Sequence, residues 1–237
     1  MDESRLYWTD PYMSEFSTTV TAHHADGVML EQTAFYPTGG GQPNDTGTIE
    51  TGTESWTVTD VNGRDPIVHV VDEPLPPIGE TVQCTIDWDR RMGHMRHHTA
   101  QHLLSAILLD DFGAPTTGNQ LYADRARLDC EHDRLDEAAI ERLERDMQAY
   151  IEEDIPVRTR TMSRSTAEAD LDPQRTRLDL LPSSVTTVRI VEIVGVDLTA
   201  CGGTHVNKTG ELGSVHITGR ETGGKDRERI RFSLDTA

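Results

Sequence analysis

Lysine is nearly missing from this 237-residue sequence: only Lys208 and Lys225 stand among 22 basic residues, against 41 acidic ones, for a formal net charge of -19. Phosphate recognition draws on Lys and Arg, so this balance excludes the ordinary, strongly basic nucleic-acid binder. The acids are spread over the whole length and form no tail. That distribution fits a halophilic protein adapted to a salty cytoplasm, where charge far from zero maintains solubility. Cysteine is equally scarce. Cys84, Cys130 and Cys201 are few and odd in number, which excludes a secreted disulfide framework, predicts no disulfide partner and points to a reducing, cytoplasmic compartment. No apolar run reaches membrane-spanning length, and the opening Met-Asp-Glu-Ser-Arg lacks the features of a signal peptide, so no membrane partner is expected. Gly-x-Ser-x-Gly, P-loop and dinucleotide fingerprints are also absent.

What is present divides into two parts. Alternating apolar character over residues 12–20 and 28–33 predicts strands pairing across Asp26-Gly27, and further strands are expected at 57–61, 67–71 and 81–86. Between them lies Phe35-Tyr36-Pro37-Thr38-Gly39-Gly40-Gly41-Gln42-Pro43, where three glycines permit positive φ or close approach by another surface. At Trp88-Asp89-Arg90-Arg91 the apolar period changes from two to about three and a half, which places a boundary between a small β domain, 1–88, and a second domain, 89–237. The second domain is expected to be α+β. Its parts are a helix ending at Asp111-Phe112-Gly113, extended chain over 116–130, a helix over 136–154, a strand over 155–162, a short helix capped by Ser163 or Ser165, a central strand over 185–194 and a closing hairpin, 214–220 with 228–234.

The chemistry-bearing residues gather in two places. Four histidines, His94, His97, His98 and His102, fall within nine positions of the first helix. Spacing by four stacks His94, His98 and His102 on one face, and any adjacent pair could share a metal ion. Thr99 and Ala100 leave room between His98 and His102, and Leu103 and Leu104 anchor the second at the core edge, which favours that pair and leaves His97 solvated. A hundred residues on comes Cys201-Gly-Gly-Thr-His205, a tight turn able to aim a thiolate and an imidazole at one point, just after a strand that also delivers Asp197. Together the segments offer a zinc site, one ion per chain, from His and Cys ligands. Cys84 and Cys130 have no such company and are assigned to the core.

His98-Thr99-Ala100-Gln101-His102 and Cys201-Gly-Gly-Thr-His205, together with Phe35 to Gln42, Trp88 to Met92 and Thr209-Gly210-Glu211-Leu212-Gly213, resemble in order and spacing the AlaX family of free-standing alanyl-tRNA editing proteins, relatives of the editing domain of alanyl-tRNA synthetase. The Gly-rich N-terminal part resembles the medium-length members. The resemblance implies a small, barrel-like β domain followed by an antiparallel α+β editing domain. It implies zinc ligands His98, His102, Cys201 and His205, and hydrolysis of the ester joining serine or glycine to the end of alanine tRNA.

The finer assignments follow from that resemblance. Thr116, Thr117, Asn119 and Gln120 are candidates for contacting the serine hydroxyl, and the amides of Gly202 and Gly203 for oxyanion donors. Arg90, Arg91, Arg96 and Lys225, with the Gly39-Gly40-Gly41 backbone, are candidates for the acceptor end of tRNA. If His205 binds the ion, four protein ligands close the site; three would leave a position for water. No side chain is assigned as general base. A non-catalytic RNA-binding module with a structural zinc and a zinc hydrolase of a small ester are the competing readings.

Overall fold

The computed structural model describes residues 4–63, 65–176, 178–224 and 226–235, with nothing assigned to the Leu180 side chain. The chain divides into two compact units, Met1–His94 and Met95–Ala237. After one turn of helix, α1 (Leu6–Thr9), the first unit consists of β1 (Glu15–His24), β2 (Gly27–Leu30), β3 (Gly47–Glu50), β4 (Ser55–Val58), β5 (Asp60–Asn62), β6 (Val68–Val70) and β7 (Thr81–Ile86). All its ladders are antiparallel, in the order β4-β3-β7-β1-β2-β6-β5. Phe16 and Thr18 of β1 lie opposite Cys84 and Val82 of β7 and point inward, as a period of two requires. Phe16, Val82 and Cys84 form one core with Val20, Val28, Phe35, Ile49, Trp56 and Val61. The barrel-like closure expected from the sequence is not found. β4 and β5 are the two edges, and no ladder joins them among the described residues. Only Thr59 separates them along the chain, and an extended segment cannot pair with its own continuation.

Two polar groups are built into this unit. Arg91, in the first turns of α2 (Trp88–Phe112), is fully buried with Asp45. Its Nε donates to both Asp45 carboxylate oxygens at 3.0 Å, one Nη donates to the Pro11 carbonyl at 2.8 Å, and the other reaches Asp45 and the Ala34 carbonyl. Asp45 also accepts from the Tyr36 amide at 2.6 Å. His69, buried, lies 3.3 Å through Nδ1 from the Val28 carbonyl and 2.8 Å through Nε2 from the Thr33 hydroxyl. The Gly-rich segment closes a tight turn in which Gly39 and Gln42 exchange amide bonds of 3.0 Å. Its central residues, Gly40 and Gly41, both have positive φ, 60° and 86°, as a type I′ turn demands.

The second unit continues α2 and adds β8 (Thr116–Leu121), β9 (Ala126–Cys130), α3 (Glu137–Glu152), β10 (Val157–Ser163), α4 (Arg164–Asp170), β11 (Thr187–Ile193), β12 (Asp197–Ala200), β13 (Val215–Thr222) and β14 (Glu228–Leu234). These strands make two antiparallel sheets, β10-β11-β12 and β13-β14-β9-β8. Helix α2 starts three residues earlier than Arg91, so the Trp88 to Arg91 stretch is helical, and it stops where Gly113 adopts φ 60°. Asp136 caps α3 by accepting from the Ala139 amide at 2.8 Å, and Leu143, Met147 and Ile151 form its buried stripe. Ser163 caps α4.

The two buried polar groups generate predictions. Asp45→Ala leaves the Arg91 charge uncompensated in the core and should cost about 3 to 5 kcal/mol of first-unit stability, read from urea unfolding. Burial lowers the His69 pKa from 6.5 to about 4, against the opposing pull of the Val28 carbonyl. The unfolded chain therefore takes up a proton below pH 6.5 that the folded unit refuses until about pH 4. Stability should fall through that window by about 3 kcal/mol, the worth of the gap between the two pKa values, and the slope should flatten in His69→Gln.

Candidate metal centre and its polar flank

On α2, residues 98, 101, 102 and 105 share one face of the helix. Of these His98, Gln101 and His102 are buried, and the chain returns after β12 with Cys201 and His205. The four ligand atoms of His98, His102, Cys201 and His205 lie within 4.8 Å of one another. Cys201 Sγ is 3.5 Å from His98 Nε2 and 3.4 Å from His205 Nε2, and the His98 and His205 ring centroids are 4.3 Å apart. Of the two spacings open in the sequence, the structure chooses His98 with His102; His94 is buried outside the cluster.

Nitrogens on the far side of the rings are engaged. His102 Nδ1 is 2.9 Å from an Asp197 carboxylate oxygen, and His205 Nδ1 is 3.1 Å from the Thr99 hydroxyl, which also accepts from the Val206 amide at 3.3 Å. With Nδ1 held by these partners in both rings, Nε2 is the nitrogen left to a metal, which on His102 would take it by displacing its proton. The Cys-Gly-Gly turn is wrapped on the buried Arg189. Its Nη1 donates to the carbonyls of Cys201 at 3.0 Å and Gly203 at 2.8 Å, while its own carbonyl accepts from the Cys201 amide. Burial pushes the Cys201 thiol up, but the surrounding His98, His102 and His205 imidazoles outweigh it and hold the pKa well below its usual value. Burial likewise opposes charge on His102, yet hydrogen bonds with Asp197 and Cys201 raise its pKa to about 10; on His205, burial and the neighbouring His98 push it well below the usual range. A thiolate and three imidazoles with no carboxylate among them suit a borderline-soft divalent ion over a hard one.

The flank of the cluster sorts the pocket candidates. A bulge in β8 shifts the register so that Thr116 lies opposite Cys130, Asn119 opposite Leu128 and Leu121 opposite Ala126. Directly opposed residues share a side of the sheet, so Thr116 and Asn119 face inward with the core. Thr116 Oγ1 is 2.5 Å from the Ser105 hydroxyl, and Asn119 Nδ2 donates to Gln101 Oε1 at 3.2 Å, both on the ligand-bearing face of α2. Thr117 is exposed in the bulge, and Gln120, opposite Arg127, points to the other side. Neither faces α2.

Other expectations also change. The Gly203 amide donates to Cys201 Sγ at 3.4 Å, so it supports the thiolate instead of awaiting an oxyanion; Gly202 is exposed. Arg91 is consumed by the Asp45 pair, and Arg96 by the carbonyls of Leu212 and Asp235, because both stems start on buried turns of α2. Arg91, fully buried, offers no cation to a phosphate, whereas Arg96 is half-buried. Arg90 is half-buried, with Nε on the Asn44 carbonyl at 2.9 Å. Lys225 lies outside the described residues. His97, expected in solvent, is buried and stacked on Phe232 with 6.1 Å between centroids. Gln101 and Ser105 were missed although the 3, 4, 7 spacing from His98 marks them; Arg189, ninety-one positions from His98, carries no such signal.

Residues 8–90 match the family model of class II (A) tRNA synthetases, and residues 188–231, which include Cys201 and His205, match the second additional domain of threonyl and alanyl tRNA synthetases. The chain is similar to the alanyl-tRNA editing protein AlaX-M of Methanosarcina acetivorans, 36% identical over 97% of this chain and 98% of the relative. That of Methanosarcina barkeri is 38% identical over the same shares. The alanine–tRNA ligase of Thermococcus kodakarensis is 39% identical over the whole chain, which spans 26% of the ligase.

Metal stripping and refilling tests the cluster. Chelator-treated protein should take up about one Zn²⁺ or Co²⁺ per chain, and Co²⁺ should give the intense visible bands of a four-coordinate thiolate site. Cys201→Ala should lose the sulfur-to-metal band and weaken binding at least tenfold, whereas Cys84→Ala should change neither.

Proposed function

The chain belongs to the AlaX-M family of alanyl-tRNA editing proteins, and on that footing we propose that it hydrolyses the ester joining serine or glycine to the 3′-terminal adenosine of alanine tRNA. The observation that carries this reading is the cluster of buried His98, His102 and His205 with half-buried Cys201, and the hydroxyl and amide flank beside it. A Zn²⁺ ion, one per chain, is the cofactor this reading assigns to the four residues, and when bound it would supply a fixed positive charge beside the aminoacyl end. Four protein donors would satisfy a tetrahedral ion, so activation of water falls to the substrate's own terminal ribose hydroxyl. In that step the water oxygen bonds to the carbonyl carbon, the bond between that carbon and the ribose oxygen breaks, and a proton from the water passes to the departing ribose oxygen. Ser105, Thr116, Gln101 and Asn119 are the groups from which a serine hydroxyl draws a hydrogen bond; glycine fits by its size.

The deacylase work belongs in this reading to residues 89–237, and the β domain of residues 1–88 assists at the tRNA. Arg90, Lys225 and the Gly39-Gly40-Gly41 backbone remain candidates for contacts to the acceptor end. No described helix is long and apolar enough to cross a membrane. A cytoplasmic, halophilic setting is part of the proposal and rests on the charge of -19 with two lysines.

Two measurements test this function. Seryl and glycyl forms of alanine tRNA should be deacylated faster than the alanyl form. For serine the margin should be roughly 5-fold to 150-fold, the worth of about 1 to 3 kcal/mol for a buried hydrogen bond left unmade, and Thr116→Val or Asn119→Ala should shrink it. Equal rates on seryl and alanyl esters would remove the proofreading role; no deacylation at all would leave an RNA-binding module. Along a KCl series, activity and thermal midpoint should both rise from ~0.1 M toward ~1 M, as the Debye length contracts from about 10 Å to about 3 Å and self-repulsion fades. A monotonic fall with salt would make the acidity a device for a cationic partner.

A further inference from the structure

Behind the metal cluster stands a chain of charged groups that the proposed chemistry does not use. Asp197 opens β12 and is 6% exposed. One of its oxygens is 2.9 Å from His102 Nδ1; the other accepts from Arg175 Nη1 at 3.3 Å, and the Thr199 hydroxyl lies 3.0 Å from both. Arg175 comes from the loop after α4, and its second Nη reaches the carboxylate of Asp110 near the end of α2. The next residue, Thr176, is buried and accepts from the Ala200 amide at 3.2 Å through its hydroxyl. Two successive loop residues thus hold β12 at both ends, one residue before Cys201, and tie it to the helix that carries His98 and His102.

The two imidazoles with visible Nδ1 partners are treated differently. His205 meets a neutral hydroxyl, whereas His102 meets a carboxylate whose charge is shared with a guanidinium. A carboxylate on Nδ1–H fixes the tautomer and ring plane and strengthens Nε2 as a donor. Alone, a desolvated carboxylate would be free to rotate toward solvent or take a proton; an arginine bound to two carboxylates removes that freedom, and its planar fork suits the task better than a lysine would.

We propose that Asp197 and Arg175 are a positioning pair for the metal centre: Asp197 orients His102, and Arg175, braced by Asp110, orients Asp197. The inference rests on the metal reading of the cluster and is independent of which ester the protein cleaves. Arg175 acts through Asp197 and touches neither the ion nor the substrate.

Zn²⁺ affinity measured by competition with a chromophoric chelator, together with the Co²⁺ spectrum and the thermal midpoint of the metal-free protein, tests it. Asp197→Ala should weaken binding by about 10-fold to 100-fold, the usual effect of removing such a partner, and shift the Co²⁺ bands. Asp197→Asn, which retains an acceptor, should lose less. Arg175→Ala should weaken binding severalfold in the parent and add nothing in the Asp197→Ala background, with Arg175→Lys between parent and Ala. Arg142→Ala, which removes an exposed pair with Asp111 on the same helix end, should leave affinity unchanged. Unaltered affinity and spectrum in Asp197→Ala would overturn the proposal, as would an Arg175→Ala effect that adds in full to that of Asp197→Ala. Loss of affinity without any deacylase activity in the parent would uphold the pair and refute the editing reaction instead.

Discussion

The half-buried Cys201 sulfur sets the terms for the second unit. A thiolate partly withdrawn from water must find compensation at short range, and three imidazoles, the Gly203 amide and a carbonyl-anchoring arginine are gathered for it. Each of those groups makes its own demand. His102 requires Asp197, His205 requires Thr99, and the turn that aims the sulfur requires Arg189. Those requirements account for why β11, β12 and α2 carry polar residues at buried positions where a purely mechanical core would place leucine or valine.

The same rule operates with opposite priorities in the first unit. There the Arg91 and Asp45 pair satisfies itself almost entirely within the protein, donating to two backbone carbonyls and accepting one amide, with nothing directed outward. The metal cluster keeps four donor atoms within 4.8 Å of one another. Buried pairs of the first kind define a fold; buried groups of the second kind define a place for something from outside.

Much of this could be read in the sequence, for reasons that differ by feature. The inward alternation of β1 and β7, the α3 stripe with its Asp136 cap and the Gly113 stop are local properties, fixed by neighbours within a few positions, and so were legible. The metal cluster was legible because His98 and His102 are one helical turn apart and Cys201 and His205 share one short loop. Arg91 misled because an arginine written beside a site reads as a surface cation, while its actual partner, Asp45, lies forty-six residues away; the Leu212 carbonyl that Arg96 meets, one hundred and sixteen residues on, was hidden in the same way. The open edges of the N-terminal sheet were equally hidden, since closure depends on which strands are neighbours and not on the character of any one strand. The side taken by Thr117 and Gln120 was hidden as well, because it turns on a single extra residue in β8.

That extra residue makes the flank of the metal centre sensitive to length in a way it is not to composition. Because β8 carries its bulge between Thr116 and Gly118, the two sides of the strand are exchanged at that point, and Thr116 comes to share a side with Asn119. Substitution at 116 or 119 can retune what borders the centre while leaving the ladder to β9 intact. Insertion or deletion of one residue at 117 would instead reassign inside and outside for whatever precedes it. Exchange of side chains on this strand is therefore tolerated where a change of its length is not, although the segment sits at the edge of its sheet, where length variation is otherwise cheapest.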